Sequence, residues 1–407
     1  MAAISSGDTA FVLVCAALVV IMTPGLAFFY GGLVHRTNVI TIMMQSFISM
    51  GLVTAIWVIF GFTLAFGHDV GGVIGNLHYL FLRHVGAAPN AALAPHVPFL
   101  AFFVFQLTVA ILTPALITGA FADRLPFKAY LKFLALWSVV VYIPFAHWIW
   151  GGGFLASWGV RDFGGGMPVH AAAGFSALAS IFVIGKRRYT SGERTQPSNL
   201  PLVAIGAALL WFGWLGDNPG NAMAADGIAT QAFVNTFIAG GLALFVWLLI
   251  DWARQGKPGM VGAVTGMLAG LVAVTPCAGF VPTWAAATIA VIAAVVCYFA
   301  VQLRARLGWD DALDVWGIHG VGGALGTVLL GVFALSSIGG VSGLLNGTGK
   351  QLGLQTLAIA IVIAYAFVAT FVILKVLSAF EPLKVSDHVQ TQGLDEELHG
   401  EAAYRLG

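Results

Sequence analysis

Two stretches of this chain repeat one pattern of ionisable residues. Asp162-Phe-Gly-Gly-Gly-Met-Pro-Val-His170 is followed by Gly174, and Asp311-Ala-Leu-Asp-Val-Trp-Gly-Ile-His319 by Gly323, so both read D-x7-H-x3-G. An aspartate before a helix accepts from the unpaired N–H groups of the first turn and meets the positive end of the helix dipole. That capping role and a direct role at a site are both open for Asp162 and Asp311. A histidine eight residues on lies roughly 12 Å further along a helix. Imidazole exchanges a proton near neutral pH, and two neutral imidazoles sharing a hydrogen bond present a donor on one side and an acceptor on the other. In a narrow apolar path such a pair accepts a proton from a weak-acid cation and passes the neutral base. The alternative is a satisfied hydrogen bond between helices. Matching repeat positions favour the path for His170 and His319, whereas His147, in Pro144-Phe-Ala-His-Trp148, has no repeat partner and reads as structural.

The elements that must hold these residues are membrane helices. Of 407 residues, 59% are hydrophobic and 9% charged, against roughly 25% charged in a soluble domain. At roughly 20 apolar residues per span this composition fills about eleven or twelve helices. Gly, Pro and charged clusters divide it into eleven: about 9–34, 39–66, 97–121, 129–150, 167–185, 199–216, 228–251, 258–276, 282–303, 312–336 and 353–379. The fold class is therefore an all-α membrane protein. The first D-x7-H-x3-G opens the fifth span and the second opens the tenth, so two five-helix halves of opposite direction are expected, with an extra C-terminal helix. Repeat one occupies about 9–185 and repeat two about 199–336; residues 1–379 form the membrane domain and 380–407 a polar tail. Well inside the spans only His147, His170 and His319 remain as ionisable groups, since Lys132, Asp251 and Lys375 lie near cytoplasmic ends and can snorkel, and such groups usually face a pathway or each other.

Charge settles direction and excludes several functions. The odd-numbered loops, which include Arg124, Lys186, Arg187, Arg188 and Arg194, carry 11 Lys and Arg against 3 in the even-numbered loops. By the positive-inside rule the N-terminus lies outside and the tail is cytoplasmic. The N-terminal segment lacks a basic region and cleavage site, so it is expected to be retained. A net charge of +1 supports no nucleic-acid partner. Cys15, Cys277 and Cys297 show no metal or disulfide spacing, and no P-loop or hydrolase constellation is present, so neither a cofactor nor an enzyme is expected. A haem held by His170 and His319 is the weakest alternative, since close packing explains the flanking glycines equally well.

Five stretches in order resemble the ammonium transporter family (Amt, with its methylammonium permease and Rhesus relatives). They are Met22-Thr-Pro-Gly-Leu-Ala-Phe-Phe-Tyr-Gly-Gly32, His147-Trp-Ile-Trp-Gly-Gly-Gly153, Asp162-Phe-Gly-Gly-Gly166 with His170, Asp314-Val-Trp-Gly-Ile-His-Gly320, and Gly393-Leu-Asp-Glu-Glu-Leu-His-Gly-Glu-Ala-Ala-Tyr404. The resemblance implies eleven helices in an inverted five-plus-five repeat, a homotrimer with one pore per subunit, and a multi-pass protein of the bacterial inner membrane. It further implies ammonium recruitment at an outer vestibule, deprotonation, and passage along His170 and His319. Trp150 matches the vestibule tryptophan, Asp162 the aspartate that supports the site, and Phe105 and Trp214 nearby aromatics. The tail resembles a segment through which some members answer a PII-type signal protein.

The departures are specific. Val109 and Asp217 stand where two stacked phenylalanines usually close the outer pore, Asn221 stands for a vestibule serine, and Gly164, Met167 and Pro168 replace the more usual Ala, Thr and Val. Asp217 is expected either to attract ammonium by charge, or to cap the following loop or pair with Arg161. Proton-coupled or electrogenic ammonium transport is the leading expectation. An ammonium sensor with little flux, and a channel for another small solute such as carbon dioxide or methylamine, are the alternatives.

Overall fold

The computed structural model describes residues 4–189, 192 and 195–404; Arg194, counted above among the loop charges, lies outside them. Among the described residues eleven apolar helices cross the molecule: α1 Ser6–Leu33, α2 Val39–Phe66, α3 Phe99–Phe121, α4 Phe127–Trp158, α5 Gly166–Ile184, α6 Leu200–Gly220, α7 Gly227–Gln255, α8 Met260–Val274, α9 Thr283–Arg306, α10 Trp316–Phe333 and α11 Lys350–Ser378. Ten are long enough to span a bilayer, and α8 has only 15 residues. Local chemistry starts several of them. The Ser5 hydroxyl accepts from Asp8 N at 3.2 Å ahead of α1, Asn199 Oδ1 from Leu202 N at 2.9 Å ahead of α6, and Asp226 Oδ1 from Ala229 N at 2.9 Å ahead of α7. Each satisfies one N–H that the first turn leaves unpaired.

The expected two-fold arrangement is visible in which helices meet. Helix α1 lies along α6, its repeat equivalent, and the start of α5 lies against the start of α10. Lipid offers no hydrophobic drive between helices, so small residues must allow close approach. A Cβ at Gly206 of α6 would stand 2.6 Å from Gly25 O of α1, and one at Gly25 would stand 3.3 Å from Gly206 O. Backbone pairing repeats the symmetry. Phe163 N and Gly164 N, just after Asp162, donate to Pro276 O and Thr275 O beyond short α8; Leu313 N and Ala312 N, just after Asp311, donate to Gly119 O and Ala120 O at the end of α3.

Two faces close the bundle. On one, Asp69–Val70 and Ile74–Gly75 form an antiparallel hairpin, β1 and β2. On the other the tail packs, with α12 Asp387–Gln392 and α13 Leu394–His399. The acidic run at Asp395 reads in the sequence as solvated surface, but Asp395 is 1% exposed. Its carboxylate accepts from Ile40 N, Thr41 N and Thr41 Oγ1 at 2.8–3.0 Å, so the tail caps α2. Burial outweighs these bonds and pushes the Asp395 carboxyl up.

One boundary differs in a way that bears on function. The Gly-Asp-Asn-Pro-Gly run reads as a break after residue 216, yet α6 continues to Gly220. Its last turns are held by packing: a Cβ at Gly216 would stand 3.0 Å from Cys15 O of α1, and one at Gly220 would run into the Phe105 ring of α3. Asp217 is therefore a further ionisable residue within a helix, 5% exposed.

Candidate functional site

The loop before α5 is organised by Asp162. Its carboxylate accepts from Gly165 N at 2.8 Å, Gly166 N at 2.9 Å and Met167 N at 2.6 Å, which is the capping role. Burial is the larger influence on the group and raises it to about 6 against these donors. Its main-chain oxygen accepts from Trp150 Nε1 at 3.0 Å. Within α4, Trp150 closes the longer helical run, and Gly151, Gly152 and Gly153 turn the chain before a last short turn of helix resumes at Phe154. His147 fixes that end, with Nδ1 2.9 Å from Ala65 O of α2 and Nε2 2.9 Å from Asp69 Oδ1 of the hairpin. Hydrogen bonding to His147 holds the Asp69 carboxyl below the usual range. Trp150, Asp162, Asn221, Gln106 and Phe280 line a cavity of about 370 Å³ open to the hairpin face.

Below this cavity two helices present continuous stripes. On α6, Asn221, Asp217, Trp214 and Leu210 recur at spacings of three and four, and on α3 Gln106, Val109, Leu112 and Leu116 do the same; such residues share one helix face. The upper members of both stripes line the outer cavity, and Leu210, Trp214, Leu112 and Leu116 line a second space of about 10 Å³ beside His170 and His319. Such a volume is about that of one water-sized sphere. Val109 and Asp217 lie between the two levels, both buried. A third cavity of about 150 Å³ opens from His319 towards the tail face, past Ile318, Leu268 and Tyr30.

The two histidines meet. His170 Nδ1 and His319 Nδ1 stand 3.2 Å apart, their rings inclined by 22°, and one nitrogen donates while the other accepts. His170 also stacks on Trp214 at 5.2 Å, and Trp214 Nε1 donates to Thr275 Oγ1 at 2.8 Å. Each histidine lies in a turn wound with i→i+5 bonds, Gly166–Ala171 and Trp316–Gly320, a distortion frequent at functional sites. The glycines of the motif explain the approach. A Cβ at Gly323 would stand 2.9 Å from His170 Cβ, and one at Gly174 would run into the backbone of Gly320, next to His319.

Trp150, Asp162 and Asn221 thus share the outer cavity, Val109 and Asp217 lie at the constriction below it, Trp214 lines the space beside the histidines, and Phe105 packs against Gly220 and lines neither. Among the described residues no ion pair joins Asp217 to Arg161. Arg161 is held through its backbone, by Gln355, and the Asp217 main-chain oxygen accepts from Asn221 Nδ2 at 2.8 Å. Sequence reasoning missed Gln106 and Tyr30. Gln106, polar within the apolar α3 and three residues before Val109, carried a usable signal; Tyr30, whose hydroxyl donates to Leu116 O at 2.9 Å, reads as an ordinary packing aromatic.

The family model described as Ammonium Transporter Family matches residues 10–404. The chain belongs to the Ammonium Transporter Family. Within it, an ammonium transporter of Aquifex aeolicus is 46% identical over 407 residues, covering 100% of this chain and 95% of the relative. One of Bacillus subtilis is 44% identical over 402 residues, covering 98% of each. Among solved structures, Mep2 of Candida albicans superposes with a TM-score of 0.89 at 33% identity, covering 95% of this chain and 87% of Mep2. A protein titled a sensor Amt protein gives 0.89 at 27%, covering 97% and 98%. Relatives in the Ammonium Transporter Family are named as transporters, and none of these carries an enzyme name.

Proposed function

We propose that this chain carries ammonium across the bacterial inner membrane. The N-terminus and hairpin face lie outside and the tail is cytoplasmic, a direction that the excess of Lys and Arg in the odd-numbered loops supports. Ammonium enters the outer cavity, where the Trp150 face offers a cation–π contact and Asn221 an amide oxygen. It is deprotonated above the constriction, because an ion cannot cross hydrocarbon unpaired, and passes His170 and His319 with net inward charge. The observation that supports this most directly is the Nδ1-to-Nδ1 pair between a cavity on each face. The chain works as a homotrimer with one pore per subunit, and its docked tail is the surface for a PII-type protein.

Proteoliposomes on a solid-supported membrane test this reading. Ammonium pulses are expected to give a saturable positive current that His170→Ala abolishes. A wild type without current and without ammonium uptake would sink it.

A sensing role is the second reading, favoured by the missing phenylalanines, the likeness to the sensor Amt protein, and a tail built into the helix bundle through Asp395. Ammonium binding measured by calorimetry, in protein that transports nothing, would select it.

A further inference from the structure

Asp217 presents a chemical anomaly. It lies inside α6, 5% exposed, and its Oδ1 has no hydrogen-bond partner. No cation among the described residues pairs with it. Its titratable surroundings are Cys15 of α1 and the Tyr142 hydroxyl of α4, both of which its charge reaches. Neither compensates a carboxylate. A lone carboxylate is costly to bury and takes up a proton instead. The position is equally specific: one turn below Asn221 of the outer cavity and one turn above Trp214, which stacks on His170. The Nε2 of His170 is also without a partner. Two unpaired buried polar groups thus flank the constriction, where native structures ordinarily satisfy such groups.

Resting on the ammonium-transport reading, we infer that Asp217 is the catalytic proton acceptor for ammonium, not a surface attractant. At rest the carboxyl is neutral and holds one proton. As an ammonium ion reaches the constriction, that proton moves inward, relayed by a water molecule past Trp214, to the free Nε2 of His170 and leaves a carboxylate opposite the cation. The N–H bond of ammonium then breaks towards the carboxylate oxygen: COO⁻ and NH4⁺ become COOH and NH3. The neutral ammonia proceeds past Trp214, the extra proton on His170 passes from its Nδ1 to His319 Nδ1 and leaves the His319 ring into the inner cavity, and the carboxyl and the imidazole pair are ready for the next ion once the two tautomers reset. Each cycle moves one proton and one ammonia inward, with no oxidant, reductant or leaving group.

An acceptor used only in the chemical step affects turnover, whereas an attractant affects apparent affinity. Asp217→Asn, which keeps shape and removes the acceptor, is compared with wild type and Asp217→Glu in proteoliposomes, with folded protein normalised by gel filtration. Initial ammonium uptake and solid-supported current are read against ammonium concentration. The expected result is a tenfold or greater fall in maximal uptake and current for Asp217→Asn, a KM within twofold of wild type, and partial recovery in Asp217→Glu. A tenfold rise in KM at unchanged maximal rate would make Asp217 an attractant and overturn the inference while leaving ammonium transport intact. Unchanged kinetics would make it structural and overturn it too. No uptake in wild type would overturn both.

Discussion

His170 and His319 are 149 residues apart in sequence and 3.2 Å apart at Nδ1. The contact depends on backbone approach, since Gly323 faces His170 Cβ and Gly174 faces Gly320. Nothing larger than hydrogen fits at either glycine without moving α5 and α10 apart.

Gly174→Ala and Gly323→Ala are therefore expected to cost about 1–3 kcal/mol each through overpacking and to reduce ammonium uptake strongly. Gly353→Ala is the control, because its Cβ would meet nothing within 4 Å. Thermal melts in detergent alongside uptake assays check this. Full uptake in Gly323→Ala would mean that the imidazole contact is dispensable.

Trp150 offers its ring to the outer cavity and is anchored by its bond to the Asp162 main chain. Replacing a cation–π face removes about 1–2 kcal/mol, roughly 5- to 30-fold in affinity. Trp150→Leu is expected to raise the KM for ammonium by that range while leaving maximal uptake within twofold. A fall in maximal rate at constant KM would assign Trp150 to a later step.

On the tail face Arg187 joins Asp123 at 3.0 Å and Asp310 at 2.8 Å, and the fully buried Arg124 stands 3.5 Å from Asp310. Burial raises the Asp310 carboxyl, but Arg187 and Arg124 outweigh it and hold it below the usual range. A carboxyl depressed by folding stabilises the fold above its unfolded value, about 4, and loses that contribution as pH falls through its folded value. Melting temperatures read from pH 7 to pH 3 should therefore lose this contribution below about pH 4 in wild type, and Asp310→Asn should remove that step. At neutral pH, Asp310→Ala is expected to cost about 3–5 kcal/mol, because Arg124 stays buried without its carboxylate. An identical acid limb in wild type and Asp310→Asn would refute the assignment.

Much of this architecture was legible in residue patterns. Eleven apolar runs, the D-x7-H-x3-G repeat and the capping aspartates are local features, and local features are what sequence periodicity reports. The end of α6 was not legible. Gly216, Pro219 and Gly220 are turn formers on their own, and only contact with Cys15 and Phe105 keeps them helical. Asp395 misled for a related reason: its role comes from Thr41, more than 350 residues away. Composition places acidic residues in water, and only the folded chain supplies the N–H groups that bring one inside.

The i→i+5 turns that carry His170 and His319 have a consequence for how the chain tolerates changes in length. Each helix is wound there with one residue more than an α-helical turn needs, and each residue shifts the angular phase of a helix by about 100°. Losing a single residue from Gly166–Ala171 or Trp316–Gly320 would let the turn relax to α-helical winding, at the cost of rotating one flank against the other. The imidazole would then swing off its partner, or Gly174 or Gly323 would leave the contact it fills. Insertions and deletions here are thus more damaging than most substitutions, and the two halves are bound to keep their residue counts in step.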